Sequence, residues 1–500
     1  MVNLQEIKEK AIKGSLWSIL EKFSLQIIQF VVSVILARLL EPKDYGLIAI
    51  TLIFTSISAA ITDGGFEKTI IQKRNLTPIQ INTIFYISVG LGIILSSLVF
   101  FSASVISEFF KEAELIHILK FVSLGIFLNA LGQIQSTLLR KDLNFKKLSS
   151  IQVFSSFASG ISGIWMAYMG YGIWSLVFSM LLSQLITTSC YWVNSKWYPK
   201  LMFSFYSIKS VMPFGLNVLF SSILFFFAQQ FNSLVVGKFH SKADLGLFNR
   251  GSKFPELATG VIEAVILKMS FPLFSKLQDD ENELQKLLEK TVKLIAFVSF
   301  PILTLLFLVA NEITIILFTT KWLGSVIFLK CFCFIKVLNP FVAVYREIIL
   351  AKGHATLLTK ILVFTTIVEV GLILSLIQFG LLFVVVGSLI SVIIQFVTYA
   401  YILSIKLDVK WQNNIKWILP YFLISIFTAL IILASEVLFA TFQYSTILTL
   451  VTKLILGVFL FLVTYYFFNV EGTQYIKIFN TLLRKRISNI FIKNQLLFKR

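Results

Sequence analysis

Asn249, Lys253, Glu256, Gly260 and Glu263 step by four, three, four and three, which puts them on one face of a helix, with Arg250 just beside them. Ser15, Ser18, Lys22, Gln26, Gln29 and Ser33 recur at steps of three and four and form a second, narrower stripe. Lys and Arg at such places donate charge-assisted hydrogen bonds to phosphate or carboxylate, and a low-dielectric setting strengthens those bonds. Lys330 and Lys336 add two cations on another segment; Arg346, Glu347, Glu369 and Lys453 follow. Cations outnumber acids in this set, which suits an anionic substrate and opposes a cationic one. Asp63, Glu256, Glu263 and Glu369 are the carboxylates that could carry a proton or sodium ion, and nothing in the sequence orders them.

These stripes are embedded in a very apolar chain. Of 500 residues, 57% are hydrophobic and 14% are Asp, Glu, Lys or Arg, against about 25% charged in a soluble domain. The mean hydropathy is +0.86, and apolar runs long enough to cross a bilayer recur from end to end. A β-barrel would instead show short segments of alternating polarity. The chain therefore reads as an all-α polytopic membrane protein. Spans are expected at 14–37, 46–66, 82–106, 116–138, 150–169, 172–194, 211–237, 246–269, 292–310, 326–348, 357–378, 381–404, 417–437 and 446–468, fourteen in all. The span at 116–138 is weakened by Lys120, Asn129 and two glutamines, and that at 246–269 is strongly polar on one side.

A lysine two turns into the membrane must face protein or water, or snorkel to the interface, and Lys22 fits either. The helix at 246–269 fits a span lining a cavity or a peripheral surface helix; Pro255 should kink it. Met169-Gly170-Tyr171-Gly172 makes a tight turn, so the flanking spans form an antiparallel hairpin.

Basic residues cluster in alternate loops: Lys68, Lys73 and Arg74; Arg140, Lys141, Lys146 and Lys147; Lys196, Lys200 and Lys209; Lys406, Lys410 and Lys416. With the tail after residue 470 and the first thirteen residues, they place both termini in the cytoplasm. This topogenic charge explains the net +19 without nucleic acid.

Residues 35–46 align with 235–246 at an offset of 200: Arg38 over Lys238, Asp44 over Asp244, Gly46 over Gly246. That offset corresponds to six spans, an even number, so the halves are parallel repeats about an axis along the membrane normal. The divisions expected are an interfacial segment 1–13, six-helix bundles at 14–200 and 201–410, two further spans within 411–470, and a basic tail 471–500.

Catalytic grammar is absent: no Walker A, no HExxH, no nucleophile elbow and no CxxC. Cys190, Cys331 and Cys333 make no metal pattern, His117, His240 and His354 are scattered, and no cofactor is expected. The chain reads as a transporter rather than an enzyme.

The stretch Leu36-Ala37-Arg38-Leu39-Leu40-Glu41-Pro42-Lys43-Asp44-Tyr45-Gly46 resembles the signature after the first helix of bacterial polysaccharide flippases, as do Asp63-Gly64-Gly65-Phe66 and Ile70-Ile71-Gln72. Val236-Gly237-Lys238-Phe239, Leu245-Gly246-Leu247-Phe248-Asn249-Arg250 and Phe271-Pro272 look like the second-half counterpart. These exporters of O-antigen, colanic acid, capsule and teichuronic acid precursors belong to the multidrug/oligosaccharidyl-lipid/polysaccharide exporter superfamily. The resemblance implies a V-shaped pair of six-helix bundles with two extra C-terminal helices, and passage of an undecaprenyl-pyrophosphate-linked oligosaccharide from the inner to the outer leaflet of the cytoplasmic membrane. It also implies a cationic cavity, for which Lys22, Arg250, Lys253, Lys330 and Lys336 are the candidates, with Gln26, Gln29 and Asn249 as polar lining. Membrane lipids and polysaccharide polymerase machinery are the further partners implied. Arg38, Pro42, Asp44 and Gly46, with Lys238, Asp244 and Gly246, belong to the loop motif, where Pro42 and Asp44 suit a turn and N-cap. The alternatives are a cation-coupled multidrug exporter of the same fold and a non-transporting membrane assembly protein.

Overall fold

A segment surrounded by lipid must satisfy every backbone N–H and C=O within itself, and long apolar runs do so as helices. The computed structural model describes residues 24–73, 76–204, 206, 209, 212–407, 411–439 and 445–468, and all regular structure within them is helical. In chain order these are α1 (Ser24–Leu39), α2 (Pro42–Asp63), α3 (Phe66–Gln72), α4 (Pro78–Phe110), α5 (Glu114–Lys141), α6 (Phe145–Tyr168), α7 (Trp174–Asn194) and α8 (Met212–Phe239). There follow α9 (Lys242–Lys276), α10 (Glu281–Leu308), α11 (Ala310–Phe318), α12 (Ser325–Ala351), α13 (Ala355–Leu376), α14 (Leu381–Leu407), α15 (Trp411–Phe439) and α16 (Thr446–Phe467).

Among the described residues ten helices are long and apolar enough to cross a membrane, so the chain is an all-α polytopic membrane protein. Each expected span falls on a helix; residues 14–23 of the first, with Lys22, lie outside the described residues. The second differs in its bounds. It starts at Pro42 and ends at Gly64 and Gly65, whose φ values of 55° and 70° turn the chain into α3; a side chain resists that conformation and glycine does not. The short helix α11 was not expected. Helix α9 runs through Pro255 without interruption, and the Pro255 carbonyl accepts the Thr259 hydroxyl at 3.0 Å.

Contacts divide the chain into two units. The first holds residues up to Asn249 with Leu317–Trp322 and Val370–Val384. Here α6 and α7 form the expected hairpin through Gly170 and Gly172, both at positive φ. Hydroxyls join them: Ser155 Oγ lies 2.6 Å from Thr187 Oγ1, and Ser179 donates to the Ser159 carbonyl at 2.8 Å. Helices in lipid gain little from apolar burial against one another, so small residues and such polar bridges hold them. Phe66, Ile70, Ile84, Phe85 and Ile134 form one core cluster, edged by Trp192 and Trp197.

The second unit holds Arg250–Ile316, Leu323–Glu369 and the chain from Val385. Its core lies between α10, α12, α15 and α16, with Leu288, Val292, Tyr345, Tyr421 and Tyr465 buried together. The Tyr345 hydroxyl is paired with Asn414 Oδ1 at 2.9 Å, as a phenol in such a place requires.

Candidate functional site

Helix α9 presents two different faces. On one, Gly251 lets its backbone lie against α12, since a Cβ there would stand 2.5 Å from Phe328 Cβ. Phe254 and Ala258 continue that face onto Val326, Leu329 and Cys333. Arg250 is also buried, at 6% exposure. The other face is the stripe seen in the sequence. Lys253 and Glu256 have side chains 55% and 52% exposed and lie 3.8 Å apart. A Cβ at Gly260 would meet nothing within 4 Å, and Glu263 is half-buried. On α12, Lys330 is half-buried with Nζ 5.5 Å from the centre of the Phe307 ring, and Lys336 is half-buried further along. Four of the five expected cationic residues therefore sit on two packed helices of the second unit.

The remaining expected residues are dispersed. Gln26 is half-buried and Gln29 exposed on α1; Glu369 is half-buried on α13. Asn249 accepts a hydrogen bond from Ser233 at 3.2 Å. Asp63 is tied into the first unit: its Oδ1 accepts Gln133 Nε2 at 2.7 Å and the Glu67 backbone N–H at 3.1 Å, which caps α3. Glu67 in turn pairs with Arg140.

One charged cluster escaped the sequence reading. Lys453 is 7% exposed, and its ammonium meets Glu312 at 2.6 Å and Glu436 at 2.5 Å. The sequence marked Lys453 as intramembrane, but Glu312 lies 141 residues away on α11, too far for any local pattern to reveal. A lysine paired with two carboxylates satisfies the demand that a buried charge be matched, and it fastens α16 to α11 and α15.

The two repeated loops meet inside the first unit with reciprocal geometry. Arg38 Nε donates to the Leu317 carbonyl at 2.9 Å, near the end of α11. Lys238 Nζ donates to the Phe109 carbonyl at 2.6 Å, near the end of α4, with the Phe109 ring 3.8 Å away. Both cations thus meet carbonyls at helix C-termini, where a positive charge is favoured. A Cβ on Gly46 would lie 1.8 Å from the Lys242 carbonyl oxygen, and one on Gly246 would lie 1.9 Å from the Pro42 carbonyl oxygen. The N-cap of α2 is Glu41 rather than Asp44. Asp44 stands in the first turn and accepts the Glu41 backbone N–H at 3.0 Å, while Pro42, lacking an N–H, opens the helix. In the second copy Ser241 accepts the Asp244 N–H at 3.0 Å and donates to its carboxylate at 2.7 Å. Trp322 Nε1 also donates to the Ala37 carbonyl at 2.8 Å, and Lys321 pairs with Glu41 at 3.0 Å.

Residues 35–327 match the family described as "Polysaccharide biosynthesis protein". The teichuronic acid biosynthesis protein TuaB of Bacillus subtilis (strain 168) is 25% identical over 357 residues, which cover 71% of this chain and 74% of that protein. The lipopolysaccharide biosynthesis protein WzxC of Escherichia coli (strain K12) is 24% identical over 366 residues, covering 72% and 74%. Among solved structures, the lipid II flippase MurJ in an inward closed conformation superposes with a TM-score of 0.73 at 15% identity, covering 92% of this chain and 99% of that one. An inward-facing multidrug resistance MATE family transporter of the MOP superfamily gives 0.60 at 15% identity, covering 77% and 95%. At such identities the structural likeness is one of fold. The family match takes in more than half of the sequence, the repeated loops included, and the chain belongs to the polysaccharide biosynthesis protein family.

Proposed function

We propose that the protein is a flippase that carries an undecaprenyl-pyrophosphate-linked oligosaccharide, the repeat unit of a polysaccharide, from the inner to the outer leaflet of the cytoplasmic membrane. The observation that carries this reading is the open, charged face of α9, turned away from α12, together with the half-buried lysines on α12 itself, in a chain of very apolar helices. Exposing such charge to acyl chains is costly, so a face of this kind belongs against water or an ionic substrate. Family membership and the named products of the relatives supply the substrate class.

In this reading fourteen spans form two six-helix bundles around a central cavity, followed by two C-terminal helices, with both termini cytoplasmic. Lys22, Arg250, Lys253, Lys330 and Lys336 catch the pyrophosphate through charge-assisted hydrogen bonds. Gln26, Gln29 and Asn249 meet the glycan, and the lipid tail stays in the bilayer. No bond is made or broken: the substrate shifts the balance between inward- and outward-open states by binding them differently. A proton or sodium gradient drives the cycle through one of Asp63, Glu256, Glu263 or Glu369. Polysaccharide polymerase machinery receives the product.

The test is translocation of a lipid-pyrophosphate-linked oligosaccharide in reconstituted vesicles, comparing the parent with Lys22→Ala, Arg250→Ala and Lys253→Ala. Each variant should slow transport. If all three match the parent rate, the cationic site is wrong; if the parent itself moves nothing, the flippase reading is.

A further inference from the structure

The first unit contains a cavity of about 280 Å³ between α2, α5 and α7 that no step of the proposed cycle uses. Thr55, Ser56, Asn129 and Gln184 line it, with Ile126 and Leu181 among the apolar residues of its wall. The polar groups converge from three different helices. Among the described residues neither the Asn129 nor the Gln184 side chain has a hydrogen-bond partner. Thr55 and Ser56 spend their hydroxyl hydrogens on the Leu52 carbonyl, at 3.4 and 2.5 Å, which leaves their oxygens free to accept. Among the described residues no charged side chain borders the space. The carboxylate of Asp63, one turn beyond Ala59 on α2, is engaged by Gln133 and the Glu67 N–H.

We infer that this cavity takes one uncharged sugar ring of the lipid-linked glycan, an inference that rests on the flippase reading. Two open amides supply both donors and acceptors, and the two hydroxyl oxygens add acceptors. A pyranose presents the matching set around its rim and a C–H face to lay on Ile126 and Leu181. A cation would find no anionic ligand among the described residues here, and an acyl chain would strip water from four polar groups without replacing their hydrogen bonds. The volume falls just below that of drug-sized sites, which run from about 300 Å³ upward, so it suits one monosaccharide and not a whole repeat unit. The protein would then read its substrate in two places: charge at α9 and α12 for the pyrophosphate, neutral hydrogen bonds in the first unit for the sugar.

The test measures equilibrium binding of four probes to the full-length protein in detergent: undecaprenyl pyrophosphate alone, and the same lipid bearing glucose, galactose or N-acetylglucosamine. At least one sugar should tighten binding to the parent by about tenfold, the worth of one or two neutral hydrogen bonds. Asn129→Ala and Gln184→Ala should each lose part of that increment, and the Asn129→Leu/Gln184→Leu double variant all of it, with binding of the bare lipid unchanged. A parent that binds bare and sugar-bearing lipid equally, or a double variant that keeps the preference, overturns the inference. A parent that binds none of the four overturns the flippase reading, and this inference with it.

Discussion

Gly46→Ala is the substitution whose effect the structure fixes most sharply. The added methyl carbon would stand 1.8 Å from the Lys242 carbonyl oxygen, where ordinary contact begins at 3.4 Å. The two backbones must therefore move apart by about 1.6 Å, and neither can give by a rotamer change, because the obstructing atom is main chain. Overpacking a tight site costs about 1–3 kcal/mol, occasionally more; a backbone-to-backbone clash of this depth belongs at the upper end. Against it stands the gain of roughly 1 kcal/mol from replacing glycine by alanine inside a helix. The net expectation is a loss of about 2 kcal/mol or more. Gly246→Ala should behave alike, since its methyl would meet the Pro42 carbonyl oxygen at 1.9 Å. The two losses should not add: once one methyl has separated the helices, the second enters space already opened, and such neighbouring sites couple. The assay is thermal unfolding in detergent, with Gly371→Ala as the control, because a Cβ there meets nothing within 4 Å. If Gly46→Ala melts with the control, or if the losses of the two variants sum in the double variant, the reciprocal contact is not present as described.

The buried ammonium of Lys453 should be equally sensitive. Lys453→Met strands Glu312 and Glu436 and should cost about 3–5 kcal/mol, most of it recovered when both glutamates become glutamine; the unfolding midpoint reports both steps. Lys253→Gln should change stability by less than about 0.5 kcal/mol, because its pair with Glu256 is exposed, yet slow transport of the pyrophosphate-linked substrate in vesicles. Asp63→Asn keeps an oxygen where Gln133 and the Glu67 N–H donate, so it should melt close to the parent, whereas Asp63→Ala should lose about 1–3 kcal/mol. A cysteine placed at Lys141 should resist a membrane-impermeant thiol reagent in intact cells; labelling there would reverse the orientation proposed.

What could be read from sequence was what depends on neighbours along the chain. Hydropathy located the helices because a run such as Pro78–Phe110 has no other way to satisfy its backbone in lipid. Helical spacing revealed the open stripe of Lys253, Glu256 and Gly260, and the glycine pair at 170 and 172 revealed the hairpin. Tertiary pairings stayed hidden. Nothing near Lys453 announces Glu312, and nothing near Arg38 announces the carbonyl of Leu317, because those partners are set by how helices stack. Asn129 lies between these cases. It helped make the span at 116–138 look weak, and the polarity that weakened the span is what gives the cavity its amide. The closeness of Gly46 and Gly246 was legible only as a matching pair of letters, since a missing side chain records that space is scarce without saying what fills it.

That glycine pair has a genealogical consequence. Pro42 crowds Gly246 as Lys242 crowds Gly46, with the partners exchanged between copies 200 residues apart. A contact that maps onto itself in this way is the kind two identical subunits make across a two-fold axis. An ancestor of half the present length could have built it from a single gene by pairing with its own copy. Fusion of the two copies would then have preserved the interface while freeing each side to diverge. On that account the charged stripe of α9 and the neutral amides of α5 and α7 are specialisations of two formerly equivalent subunits, and a homodimer of an unfused six-helix relative should carry one glycine at this position in each chain.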